Sequence, residues 1–187
     1  MITGIIMGAG FSRRMGENKL TIEVEGIKVI ERVIITAKES LLDNLILVYR
    51  SEDIKAIGEK HNIKTIYNAN AHLGQSESVI LGVNNSVDSS AFMFLVGDQP
   101  FLNKDVINRL IDEYKKDARM IVTPYYNGIF GMPIIFPPNF REDLLKVKGD
   151  KGGREIISGN PHLVKRIDFD DELLGFDIDT KEDLKRI

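Results

Sequence analysis

Cysteine is absent from the 187-residue chain. That excludes disulfides, thiolate zinc sites, iron–sulfur clusters and a cysteine nucleophile, and nothing demands an oxidising compartment. Long apolar runs are missing too: none approaches the roughly 18 residues of a membrane-spanning helix. The start, Met1-Ile2-Thr3-Gly4-Ile5-Ile6-Met7-Gly8, has no basic segment and is broken by glycine, unlike a secretory leader. A cytoplasmic protein without membrane contact is expected. Charge of one sign is also lacking: 25 Lys and Arg stand against 28 Asp and Glu, a net charge of −3. So balanced a chain has no broad basic footprint, which argues against nucleic acid as its partner, although local basic clusters can still hold phosphates. What is present is ordinary globular material, 43% hydrophobic and 28% charged, long enough for one domain over residues 1–187.

Short β-branched runs alternate with amphipathic stretches. Ile2–Ala9, Leu45–Tyr49, Ile63–Tyr67, Ala91–Val96, Met120–Thr123 and Pro133–Phe136 read as strands, with Val164–Ile167 and a stretch near Phe176 as edge strands. Val29–Lys38, Ser51 to about His61, Gln75–Asn84 and Asn103 to about Lys116 carry helical spacing, and short helices are expected over Asn139–Leu145 and Lys151–Ile157. Thr180 and Asp183 resemble a capping box for a last helix. The alternation predicts α/β class: a three-layer, mostly parallel, Rossmann-like sheet with its ligand site at the carboxyl ends of the strands. The loops after the first and fourth strands, Gly8–Lys19 and Gly97–Pro100, then share a rim.

The first of these loops is the richest segment. In Gly8-Ala9-Gly10-Phe11-Ser12-Arg13-Arg14-Met15-Gly16-Glu17-Asn18-Lys19 the glycines let successive N–H groups face an anion. Ser12 adds a hydroxyl, and Arg14 and Lys19 add a fork and a point charge suited to a polyphosphate. It is neither a Walker loop, since Glu17 follows Gly16, nor a dinucleotide fingerprint, since Arg13 stands where the third glycine belongs. Asp98, at the end of an apolar strand run, suits magnesium, which takes few carboxylates and keeps waters and phosphate oxygens. The three histidines, His61, His72 and His162, lack ligand spacing and read as surface residues. The acidic run from Asp168 to Glu172 reads as a solvated turn, without the spacing of a calcium loop.

These segments resemble the nucleotidyltransferases that attach a nucleotide to molybdopterin or to a sugar phosphate, the MobA- and MocA-like NTP transferases. Met7 to Lys19 resembles their Gly-rich signature, with Gly8 where alanine is usual. Gly74-Gln75-Ser76-Glu77-Ser78 resembles the turn that opens a helix beside the base, and Gly97-Asp98-Gln99-Pro100 the metal-binding tetrad. Gly131-Met132-Pro133 resembles the segment near the second substrate, with Met132 where histidine is frequent. Gly149-Asp150-Lys151-Gly152-Gly153-Arg154 and Asp177-Ile178-Asp179-Thr180-Lys181-Glu182-Asp183-Leu184 complete the series in the same order.

The resemblance implies a nucleotide-diphospho-sugar transferase type of fold and transfer of CMP from CTP to the terminal phosphate of molybdopterin, with diphosphate released. Ala9 sides with the CTP-using branch, which serves molybdenum hydroxylase maturation. Nucleotide-binding roles fall on Gly8, Ala9, Gly10, Ser12, Arg14, Lys19, Gln75, Ser76, Ser78 and Asp98. Arg14, Lys19 and Asp98 carry catalysis, Asp98 and Asp177 hold Mg2+, and Gly131, Met132, Pro133, Gly152, Gly153 and Arg154 receive the acceptor. A molybdenum hydroxylase apoenzyme is the implied recipient of the product. A guanylyltransferase, a sugar-phosphate nucleotidylyltransferase and a non-catalytic carrier of the finished cofactor stay open beside this expectation. For the transfer itself no protein nucleophile is needed, because the acceptor phosphate is already an anion. Positioning and charge stabilisation must do the work.

Overall fold

Runs without a polar face become the interior strands of the computed structural model, which describes residues 1–12, 15–16 and 18–186. β1 (Ile2–Gly8) and β6 (Ala91–Val96) are buried almost throughout, and β4 (Asn44–Tyr49) along most of its length, as parallel strands covered on both faces must be. β1 lies between the other two, Ile5 opposite Ile46 on one side and Phe94 on the other. β5 (Lys64–Tyr67) extends the parallel half to one edge. Beyond β6, β9 (Ile134–Phe136) runs antiparallel both to β6 and to β7 (Ile121–Tyr126), and β10 (Val164–Phe169) forms the other edge parallel to β7. The order is β10-β7-β9-β6-β1-β4-β5, with β8 (Ile129–Phe130) folded back on β7. β2 (Glu23–Val24) and β3 (Ile27–Lys28) make a separate hairpin.

Helices cover both faces. Successive residues of a strand point to opposite sides. Ile6, Met93 and Leu95 therefore join α1 (Val29–Lys38), α2 (Glu52–Lys60) and α4 (Lys104–Lys116) through Ile30, Ile54 and Ile107 in one apolar layer. Ile5, Phe92 and Phe94 join α3 (Gln75–Asn84), α5 (Arg141–Leu144) and α6 (Arg154–Gly159) through Val83, Leu144 and Ile156 in the other. Burying each such side chain is worth about 1.5–3 kcal/mol before chain entropy is charged against it. Asn103 starts α4 as expected, its side chain accepting from Val106 N at 3.0 Å.

The chain leaves β1 for β4 and β5 on one side, then returns to β6 on the other. The carboxyl ends of β1 and β6 therefore frame the crevice where the winding direction changes, the usual ligand position in such sheets.

Several expectations need correction. The stretch near Phe176 is no strand: a 3-10 turn over Glu172–Gly175 precedes it, and Phe176 sits 6.3 Å from the Phe101 ring instead of pairing with the sheet. The Lys151 helix divides into a 3-10 turn at Gly149–Lys151 and α6, because Gly152, at φ 53, breaks the helical path. The Asn139 helix likewise divides into a 3-10 turn at Pro138–Phe140 and α5. Thr180 and Asp183 do pair reciprocally, but they cap only a 3-10 turn over Asp183–Arg186. His61 is no bare surface residue: its Nε2 lies 2.8 Å from Glu31 Oε1, and both side chains are mostly covered.

Candidate active site

The loop after β1 closes on itself before it reaches any ligand. Ser12 adopts φ 48. Its carbonyl accepts from Met15 N at 2.9 Å and its hydroxyl from Lys19 N at 3.1 Å. Met15 is buried beneath the loop, with Val24, Val29 and Ile178. Asn18 then caps a 3-10 turn at Lys19–Thr21. The outcome is a fixed position for Lys19, whose side chain is only 14% exposed. Arg14 lies outside the described residues.

Lys19 reaches an acidic cluster. Its Nζ is 2.5 Å from Asp98 Oδ2 and 2.9 Å from Asp179 Oδ1. Burial works against the ammonium, but the two carboxylates outweigh it and raise its pKa. Asp98 stands in the loop after β6. That loop is held by Arg32 of α1, whose Nε donates to Pro100 O at 3.1 Å and whose guanidinium also donates to Val24 O. The C-terminal segment is tied to the same loop, Ile178 N donating to Asp98 O at 3.0 Å. Ile178 is fully buried. In this extended segment its neighbours Asp177 and Asp179 are turned away from the core, into the site.

Asp177 is pushed up to about 7, first by desolvation and then by the charge of Asp98, against a hydrogen bond from Gln99. The residue is exposed on its cavity side while protein atoms crowd its carboxyl. Cavity solvent therefore softens the shift without removing its cause. Gln99 is 1% exposed, and its Nε2 also donates to Gly175 O at 3.3 Å.

Two adjoining cavities open at Asp98. One, of about 450 Å³, is lined by Ala9, Gly10, Phe11, Ser12 and Lys19 on one wall and by His72 to Gln75 and Ser78 on another, with Asp150 and Asp179 at its margin. The second, of about 210 Å³, is lined by Val79, Phe94, Phe130, Met132, Ile134 and Phe136, with Gly152, Gly153, Arg154 and Asp177. Met7, Gln75, Val96 and Asp98 line both. A ligand in each would meet across Asp98.

Some expected residues sit elsewhere. Gly8 lines neither cavity; a Cβ there would lie 2.8 Å from Ile30 Cδ1, so its small size serves helix packing. Ser76 is buried at the start of α3 and lines neither. Gly131 and Pro133 also line neither. Gly131 packs beneath the Tyr126 ring, whose hydroxyl donates to Met132 O at 2.7 Å and thereby fixes the one residue of that turn that does face the second cavity. Ser78 reaches the first cavity, but its hydroxyl already accepts from buried Asn68 at 3.1 Å. Asp150, on the loop assigned to the acceptor, accepts from Gln75 N at 3.2 Å and so occupies the N-terminus of α3.

The donor set fits a divalent cation of the magnesium kind. Asp98 Oδ1 is buried and accepts no hydrogen bond from the described residues, a costly state unless something cationic faces it. Asp177 is the neighbouring carboxylate, its pKa raised first by desolvation and then by the charge of Asp98. Among the described residues no three His, Asp or Glu side chains gather into a protein-only cage. Magnesium needs none, because waters and substrate phosphates complete its shell.

Residues that sequence reasoning did not assign also shape the site. Asp179 grips Lys19, Arg32 holds the Asp98 loop, and Arg50 at the end of β4 packs on the Phe11 ring at 4.3 Å. Each acts through a partner distant in sequence, which no local spacing reveals. No helix among the described residues is long and apolar enough to cross a membrane.

Comparison with known proteins gives a consistent picture. A family model, the MobA-like NTP transferase domain, matches residues 4–166. The chain is 29% identical to the purine catabolism protein PucB of Bacillus subtilis, over 97% of this chain and 93% of that protein. It is 29% identical to a probable molybdenum cofactor guanylyltransferase of Natranaerobius thermophilus, over 68% of this chain and 62% of that one. Among solved structures, the Rv0371c protein of Mycobacterium tuberculosis in complex with manganese superposes with a TM-score of 0.83 at 22% identity, over 99% of this chain and 96% of that one.

Proposed function

The chain belongs to the MobA-like NTP transferase domain family, and from that premise we propose that it transfers CMP from CTP to the terminal phosphate of molybdopterin, releasing diphosphate, in the cytoplasm. The product would serve a molybdenum hydroxylase apoenzyme. The observation that carries this reading is Asp98, shared by a glycine-lined chamber with a lysine and by a second chamber that Arg154 lines. That layout suits two phosphorylated reactants meeting at one carboxylate.

In this reading the first chamber takes the triphosphate. Ala9 and Gly10 let the backbone approach it, Lys19 faces the α-phosphate, and Gln75 lies between the two reactants. Arg14 is assigned to the β- and γ-phosphates by the family pattern. The acceptor enters the second chamber, its body against Met132 and Phe130 and its phosphate towards Gly152, Gly153 and Arg154. Asp98 and Asp177 would hold Mg2+, which supplies neutralisation of the charge that builds on the α-phosphate. The protein aligns the acceptor oxygen with the α-phosphorus and keeps Lys19 beside it. The manganese in the Mycobacterium tuberculosis structure supports a divalent ion in this fold, and the named guanylyltransferase relative supports a molybdenum cofactor substrate. That relative also favours GTP as the second reading of the nucleotide.

Thermal shift with CTP, GTP, UTP and ATP in magnesium decides the base, because a ligand that binds only the folded state raises its stability. CTP should stabilise most; a larger shift with GTP replaces cytidylyl by guanylyl transfer. Response to a pterin but to no triphosphate would make the protein a carrier. With molybdopterin supplied, Asp98→Ala should release no diphosphate while melting cooperatively, and full activity in that variant removes the metal assignment.

A further inference from the structure

We infer that Asp179 is a positioning residue for Lys19, a second carboxylate that holds the ammonium at the wall of the triphosphate chamber while it stays paired with Asp98; the inference rests on the first chamber being the triphosphate site. A carboxylate at the edge of an anion-binding chamber is unfavourable in itself, since it repels the ligand. Asp179 lines that chamber all the same, with Lys19, whereas Asp177 two residues earlier lines the other. Its side chain is 41% exposed, and an ion pair so open to water adds little to stability. What it does supply is direction. Lys19 Nζ has two carboxylates within reach, Asp98 at 2.5 Å and Asp179 at 2.9 Å. The ammonium keeps its contact with Asp98, and the second carboxylate, in the lining of the triphosphate chamber, fixes which way it leans.

The anchor beneath Asp179 is built to hold that position. Asp183 Oδ2 accepts from Asp179 N at 3.0 Å, from Thr180 N at 2.7 Å and from the Thr180 hydroxyl at 3.0 Å. On the other side, buried Ile178 donates from its backbone to Asp98 O. Asp179 is therefore held next to Asp98 by the Ile178 backbone bond, its own turn is braced by Asp183, and Lys19 bridges the two carboxylates.

The test is a double-mutant cycle read by isothermal titration of CTP and GTP in magnesium, using wild type, Asp179→Asn, Lys19→Ala and the double variant. Removing a negative charge alone tightens triphosphate binding, whereas losing the lysine's position weakens it, so the sign is diagnostic. Asp179→Asn should weaken binding about fivefold or more in the wild-type background. In the Lys19→Ala background the same change should leave binding unaltered or tighter. Asp179→Ser is carried alongside so that the result does not depend on one amide, and thermal melts confirm folding. Tighter or equal binding by Asp179→Asn, or equal losses in both backgrounds, overturns the inference while leaving the triphosphate reading intact. Absence of triphosphate binding by wild type, or unchanged binding by Lys19→Ala, overturns that reading and the inference with it.

Discussion

Between pH 6 and pH 8 the affinity of the free protein for Mg2+ or Mn2+ should rise about tenfold, because Asp177 must lose a proton before it can bind a cation. The perturbation is pH alone. Desolvation and the neighbouring Asp98 charge bring the Asp177 carboxyl to about 7. At pH 6 it is then about nine-tenths protonated and at pH 8 about one-tenth, a difference near 1.4 kcal/mol in metal binding. Calorimetric titration of Mn2+ in two buffers of different ionisation enthalpy counts the protons released. About 0.9 per metal should leave at pH 6 and about 0.1 at pH 8. Asp98→Asn removes the like charge, so the residual proton release of that variant should shift to lower pH. Equal affinity and no proton release at both pH values would refute the like-charge pair as the metal site.

In the absence of metal the same group acts on the fold with the opposite sign to most acids. Its folded pKa lies above the ordinary 3.8, so the folded state binds the proton more tightly and stability falls as pH rises from about 4 to 7. Asp177→Asn should therefore stabilise the metal-free protein at pH 8 by about 1 kcal/mol, after discounting for cavity solvent, with the gain gone below pH 4 in urea titrations. Gly74→Ala should be severe: φ is 118, and the new Cβ would lie 2.5 Å from the Gly149 backbone. A loss of roughly 2–4 kcal/mol and a Tm lower by about 5–10 °C are expected by calorimetry. Asn103→Ala, which removes the α4 cap at a residue lining neither cavity, should cost about 1 kcal/mol and lower Tm by about 2–4 °C without altering triphosphate affinity.

The interior strands were legible because β1, β4 and β6 carry apolar residues on both faces, a pattern few other elements produce. The meeting of Lys19 with Asp98 was legible as well, since parallel strands bring their following loops to one rim. The reversal of β9 was not. Ile134–Phe136 is apolar whichever way it runs, and strand direction is set by what the neighbours leave unpaired. Asp179 could not be assigned because its partner is 160 residues away, and its motif neighbour Asp177 carried the more familiar role. Gly8 has a packing role that the sequence hid for the opposite reason. In a glycine-rich loop each glycine suggests a ligand, yet this one makes room for Ile30.

The reversed β9 has one more consequence. Because it runs against β6, with Ile134 beside Phe94, it is the entrance of β9 and not its exit that reaches the reactive edge. The Met132 turn belongs to a hairpin excursion between β7 and β9, whereas the lysine loop belongs to the crossover between β1 and β4. Changes in residues 127–133 can therefore reshape the smaller chamber, through Phe130 and Met132, while the larger one keeps its walls.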